Sequence, residues 1–370
     1  MIFHKPSRKA VTWLFVAVLS LALFTALASA YQRTETATTE ISVGIMTAVG
    51  NIITQRTASL LGSTEALLQT DVTMTQPVIK TPLPDTHAYW LPLFWKQLAL
   101  NPSISAIYIA DTQGNFIKAE RLPRWGTLVI DTRSGTPINK RIYRQADFSP
   151  LAHTETPGQY DPRTRPWYAN AQKGKADTVY WSDLYPFATV KGMGITASIP
   201  FFDAEGKLAG VLGADITLQG LNDFFSGQPL GEHDVTLVIN NKGELVSYPV
   251  RVKLTEAAET AKANGKLPTL DMIKPDQAWI AQAYQWHQQQ KTQQQQYFPF
   301  EGENYIPVLL DFPAQIADWK LLVIAPESDL LRGANRSIAQ NITLSVFALL
   351  LFGFILYVVF GKPFRLENNV

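Results

Sequence analysis

Nine residues at 160–168, Tyr-Asp-Pro-Arg-Thr-Arg-Pro-Trp-Tyr, gather more polar-recognition chemistry than any other stretch of this sequence. Arg163 and Arg165 each carry a planar fork of donors suited to a carboxylate. Trp167 adds one N–H donor, and the hydroxyls of Tyr160 and Tyr168 donate or accept. Pro162 and Pro166 stiffen the backbone around them. The composition suits a small polar ligand, and it equally suits a rigid structural corner; the nine residues alone leave both readings open. A second candidate is Asp215, the lone acid in the run Leu-Ala-Gly-Val-Leu-Gly-Ala-Asp-Ile at 208–216. Burying an unpaired carboxylate is expensive, so Asp215 must sit near a strand end, be paired, or face a polar pocket.

Other chemistries find little support. The chain has no cysteine, which removes thiolate catalysis, disulfides and cysteine-ligated metals. His4, His87, His153, His233 and His287 are scattered without metal-ligand spacing, and no serine elbow, Gly-rich phosphate loop or pair of acids stands out. The reading is therefore of a non-enzyme with no catalytic residues, no metal and no cofactor. With 32 basic and 31 acidic residues the formal net charge is +1, which offers no electrostatic case for a nucleic-acid partner.

The elements that must position these residues begin with two uncharged apolar runs. Residues 10–30 follow His4, Lys5, Arg8 and Lys9, and residues 342–360 precede Lys362 and Arg365. Each is long enough to cross a hydrocarbon core of roughly 30 Å as a helix. The positive-inside rule puts both termini in the cytoplasm and everything between on the other face. Ala28-Ser29-Ala30 has the spacing of a signal-peptidase site, but the apolar core exceeds a usual signal h-region, so an uncleaved anchor is expected.

Residues 31–71 lack proline and repeat apolar residues at helical spacing, predicting one long helix: a dimerising stalk, an amphipathic helix packed on its own domain, or both. Prolines at 77, 82 and 84 end it, and a short helix carrying Trp90, Leu91, Phe94 and Trp95 follows. Strand, Gly-containing turn and strand occur at 104–117 and recur at 235–246, hinting at one α/β unit used twice, with antiparallel sheets. Residues 194–202 and 208–216 read as two central strands of one sheet. Strand-like runs at 305–310 and 320–325 close the unit at Pro326, and the Gln-rich end of 271–296 carries no chemistry.

Taken together, the 160–168 motif, Trp181, Tyr185, Thr-Ala-Ser-Ile-Pro at 196–200, Gly-Val-Leu-Gly-Ala-Asp-Ile at 210–216 and Asp-Trp-Lys-Leu-Leu-Val-Ile-Ala-Pro-Glu at 318–327 resemble the double Cache sensor domain of bacterial transmembrane receptors. The resemblance spans roughly 31–331 and implies an α+β fold: a long stalk helix and two PAS-like modules bracketed by two transmembrane helices. The implied division is a cytoplasmic N-terminus (1–9), a first span (10–30), the stalk (31–71), a membrane-distal ligand-binding module (72–225), a membrane-proximal module (226–331), a connecting helix (332–341), a second span (342–360) and a short cytoplasmic tail (361–370). The implied function is a small-molecule sensor of the bacterial inner membrane, periplasmic in its sensing part and homodimeric. Acting with a signalling partner, it would bind an amino acid or related amine, or alternatively a small organic acid. The chain could also be the input half of a chemoreceptor, histidine kinase or cyclic-di-GMP enzyme.

In the amino-acid-binding branch, the resemblance assigns Tyr160, Arg165 and Trp167 to an α-carboxylate and Tyr168 and Asp215 to an α-ammonium, with Tyr185 also in the pocket. Arg163 and the prolines keep a structural role. Phe187 departs from the pattern, because many amino-acid-binding relatives place an aspartate there.

Overall fold

The computed structural model describes residues 8–188, 192–226, 233–289, 297–312, 316 and 319–330, with helical positions 343, 347 and 351. Helix α1 (Arg8–Thr73) runs 66 residues without a break, roughly 100 Å at 1.5 Å per residue. It joins the first apolar run and the predicted stalk. Its many threonines cost little, because Thr54, Thr57 and Thr64 donate their hydroxyls back to carbonyls one turn earlier at 2.8–3.0 Å. Among the residues whose side chains are described, no helix is long and apolar enough to cross a membrane. The second apolar run, the connecting helix and the C-terminal tail fall almost wholly outside the described residues.

Helix α2 (His87–Leu100) buries Trp90, Leu91, Phe94, Trp95 and Leu98, as its spacing predicts. Then come β1 (Ala106–Asp111), β2 (Phe116–Glu120), β3 (Gly126–Asp131), β4 (Ile138–Arg144) and β5 (Pro150–Pro157). Helix α3 (Pro166–Ala171), β6 (Tyr180–Trp181), β7 (Tyr185–Pro186), β8 (Met193–Phe202) and β9 (Leu208–Thr217) complete the first sheet. The strands run β5-β4-β3-β2-β1-β9-β8-β6, with β7 paired to β8. All pairs are antiparallel, and the two strands expected to be central, β8 and β9, are interior neighbours but lie toward the β6 end, with β1 to β5 all on the far side of β9.

After α4 (Leu218–Ser226), β10 (Val235–Asn240) and β11 (Leu245–Ser247) begin a second sheet. It continues through α5 (Glu256–Ala263), α6 (Trp279–Gln289), β12 (Phe298–Phe300), β13 (Glu303–Asp311) and β14 (Trp319–Pro326). Its order is β11-β10-β14-β13-β12, and it too is antiparallel. The two hairpins singled out in the sequence thus lie in different sheets. Because successive strand residues point to opposite faces, each sheet has two cores.

Helix α1 lies along one face of both sheets. Met46, Ile53 and Leu61 pack on Val238, Leu321 and Val323 of the second sheet, while Leu68 packs with α2 on Ile107, Ile109, Leu212 and Ala214 of the first. The opposite face of the first sheet carries Tyr108, Phe116, Leu128, Ile130 and Val211 against Trp167 and Tyr168. Among the described residues, that face is covered by α3, the chain around 157–160 and, beside β8, Tyr185 and Phe187.

Candidate functional site

A cavity of about 430 Å³ opens on this second face, between the sheet and the 160–168 segment. The segment is built as its prolines require. Asp161 accepts the backbone N–H of Arg163, a single turn covers 162–164, and Arg165 takes an extended conformation (φ −83°, ψ 147°) before Pro166 starts α3. Pre-proline residues favour that region, and it separates the two arginines. Arg163 turns outward to Asp161 (2.8 Å) and the Thr112 carbonyl (3.2 Å), the structural role expected of it. Arg165 turns inward, donates Nη2 to the Pro186 carbonyl at 2.7 Å and lies 5.5 Å from the Tyr185 ring centroid.

Tyr160, Arg165, Trp167, Tyr185 and Asp215 all line the cavity. Trp167 is 1% exposed and packs its ring 4.7 Å from that of Tyr108. Tyr168 does not line it. Consecutive helical residues point about 100° apart, so when Trp167 faces the cavity Tyr168 faces away, and its hydroxyl donates to the Asp111 carbonyl at 3.2 Å. That geometry sets Tyr168 aside as a ligand contact.

Asp215 sits near the C-terminal end of β9, two residues before Thr217, with its carboxylate on the cavity face. One oxygen accepts from the Tyr108 hydroxyl (2.5 Å) and from Thr196 Oγ1 (2.6 Å), and Thr196 in turn is 2.6 Å from the Tyr185 hydroxyl. Burial pushes the Asp215 carboxyl above the usual carboxylate range, opposed by the two hydroxyls, Lys118 and Arg165. Burial likewise raises the hydroxyls of Tyr108 and Tyr185, and lifts that of Tyr160 to about 12, so all three stay neutral donors at physiological pH. Gly213 makes the first contact possible. A Cβ there would stand 2.4 Å from the Tyr108 ring, which crosses over this position to reach Asp215.

Sequence reasoning missed Tyr108, Lys118, Asn139 and Arg141, which also line the cavity. The signal for Lys118 was available, since Phe116, Lys118 and Glu120 alternate on β2 and place two opposite charges on one face. Nothing in the polar sequence of β4 marked Arg141. Phe187 closes the cavity beside Tyr185, with ring centroids 5.2 Å apart. Among the described residues no group of acids and histidines could hold a metal ion.

The cavity thus sets a guanidinium and phenol hydroxyls beside a hydroxyl-oriented carboxylate, a combination whose chemistry suits a zwitterion. Residues 126–223 match the family described as the first PDC sensor domain of methyl-accepting chemotaxis protein-like proteins. Adenylate cyclase 1 of Rhizobium meliloti is 26% identical over 271 residues, 66% of this chain and 39% of that protein. The methyl-accepting chemotaxis protein PscA of Pseudomonas syringae is 26% identical over 135 residues, 33% of this chain and 21% of that protein. The chain thus spans well under half the length of these relatives. The ligand-binding domain of the Campylobacter jejuni chemoreceptor Tlp3, solved with L-norvaline, shares the fold with a TM-score of 0.51 at 12% identity, covering 80% of this chain and 94% of that one.

Proposed function

We propose that this chain is the sensing part of a bacterial inner-membrane receptor, that its first sheet binds an amino acid or related amine in the cavity under 160–168, and that the bound state is passed along α1 through the membrane. The observation that carries this reading is the pairing of Arg165 and Asp215 in one cavity, on a chain whose residues 126–223 form a chemoreceptor-type sensor domain. Tyr160, Arg165 and Trp167 hold the α-carboxylate; Asp215, set by Tyr108, Thr196 and Tyr185, holds the α-ammonium. The likeness to a domain solved with L-norvaline supports the same ligand class. The two relatives are named for different activities, a cyclase and a chemotaxis protein, and a sensing role for the part of this chain that resembles them is compatible with both. Residues 10–30 and 342–360 are the two spans, residues 72–225 the membrane-distal ligand-binding module and residues 226–331 the membrane-proximal one.

The test is isothermal titration of the purified full chain against a panel of L-amino acids and dicarboxylic acids. Saturable binding of an amino acid, weakened about 10- to 100-fold by Arg165→Ala as expected for losing a hydrogen bond to a charged group, supports the reading. Heat from a dicarboxylate and from no amino acid would replace it with an organic-acid sensor.

The stalk pairs with that of a second copy. Ile41, Ile45 and Ile52 are 60%, 44% and 44% exposed along one side of α1, which is costly for a helix alone in water. As the native chain has no cysteine, Ile45→Cys in membranes gives a clean readout. Oxidation should yield a crosslinked dimer, and monomer alone would sink the pairing.

A further inference from the structure

The registers of the first sheet lay out the charges of the cavity wall in order. Thr196, Asp215, Ala106 and Glu120 stand in one row across β8, β9, β1 and β2. Gly213, Tyr108, Lys118, Leu128 and Arg141 stand in the adjacent row, from β9 through β4. Arg165 reaches the Pro186 carbonyl on β7, beyond β8. The groups that would grip the α-carboxylate and α-ammonium are thus gathered at the β7–β9 side. With strands about 4.8 Å apart, the β2 row begins roughly 10 Å from Asp215. A side chain on the ligand's α-carbon, directed along the sheet, runs toward Lys118 and Arg141.

There the wall is cationic. Glu120, 1% exposed, meets Lys118 Nζ at 2.5 Å and also contacts Arg141. One carboxylate serves two cations, so this cluster has a formal charge of +1, and both cations line the cavity. Burial and the neighbouring guanidinium of Arg141 press the Lys118 ammonium below its usual value. An incoming anion relieves that pressure. Together Arg165, Lys118, Arg141, Asp215 and Glu120 carry one more positive than negative formal charge, so a ligand of net charge −1 balances this wall where a neutral zwitterion does not.

We infer that the ligand is an α-amino acid whose side chain ends in an acidic group, and that Lys118 and Arg141, bridged by Glu120, form the subsite that selects it. This rests on the amino-acid reading of the same cavity and names its ligand class. The experiment titrates the full chain with L-glutamate and L-aspartate against L-glutamine, L-asparagine and L-norvaline. The acidic ligands should bind at least tenfold more tightly than their amides. In Arg141→Gln, which leaves Lys118 and Glu120 as a neutral pair, that preference should collapse to within about threefold, whereas the charge-balanced pair Lys118→Met with Glu120→Gln keeps the +1 on Arg141 and should retain it. Because the paired variant alters the same wall without altering its charge, it separates lost charge from a damaged fold; loss of the acidic preference there as well would overturn the charge argument. If glutamine or norvaline binds as tightly as glutamate while Arg165→Ala abolishes both, the acidic subsite is wrong and the amino-acid reading stands. If no amino acid binds at all, both fall.

Discussion

Asp215→Asn will weaken amino-acid binding by about 2–5 kcal/mol, roughly 30-fold to several thousand-fold, and will leave the chain folded. The loss is large because the ligand's ammonium would be buried against a carboxylate that Tyr108 and Thr196 have already oriented at 2.5 and 2.6 Å, so little reorganisation is left to do on binding. Asparagine keeps an oxygen for those two hydroxyls, and it removes a charge that burial disfavours. Thermal stability without ligand should therefore hold or rise while affinity drops. The pH dependence carries the same signature. The raised carboxyl of Asp215 takes up a proton at milder acidity than an ordinary aspartate, and only the ionised form attracts an ammonium. Affinity in the parent chain should fall as pH drops, beginning above the ordinary value of 3.8. In Asp215→Asn that component of the profile should be flat. Binding within threefold of the parent would remove Asp215 from the site.

The parts of the site that were legible in the sequence are those where a residue type contradicts its surroundings. Asp215 in an apolar strand must be accounted for, and the structure accounts for it with hydroxyls and a cavity. Two arginines around prolines form a turn whose pre-proline residue points the other way from its neighbour, which separates Arg165 from Arg163. Tyr168 was overread because a motif in one line of text does not show that adjacent helical residues diverge. Lys118, Asn139 and Arg141 stayed hidden for a different reason. Strand β3 carries the apolar run Leu-Val-Ile and β4 the polar run Asn-Lys-Arg, so neither shows which of its residues share a face with Lys118, and the packing of α3, residues 157–160 and Phe187 turns those charges inward. The fold was legible wherever burial is two-sided, as in β8, β9 and β14, and silent at β5, which is exposed throughout and sits at the sheet edge.

Asp71→Asn will stabilise the folded chain at pH 8 by about 1–3 kcal/mol and will change little near pH 4. Asp71 lies near the end of α1 and is fully buried where the helix meets α2. Its Oδ1 accepts from Gln97 Nε2 at 2.6 Å, while its Oδ2 and the Gln97 Oε1 are buried with no hydrogen-bond partner among the described residues. Two acceptors lack one donor. Protonating the acid supplies it, and burial, only partly opposed by Gln97, raises this carboxyl from 3.8 to about 7. The folded state then keeps a proton that the unfolded chain has lost between those values. Stability from this group is greatest below pH 4, declines as pH rises toward 7, and levels off above it. Asparagine carries the missing donor permanently on Nδ2 without a charge, so its thermal midpoint should not follow that decline. Midpoints measured from pH 4 to 8 decide the matter, and parallel slopes for the two chains would show that the Asp71 proton is not what α1 and α2 share. The outcome bears on signalling as well as stability. Asp71 and Gln97 tie α1 to the helix layer directly behind the first sheet, and with the direct packing of Leu68 they are among the contacts through which a shift of that sheet would move α1.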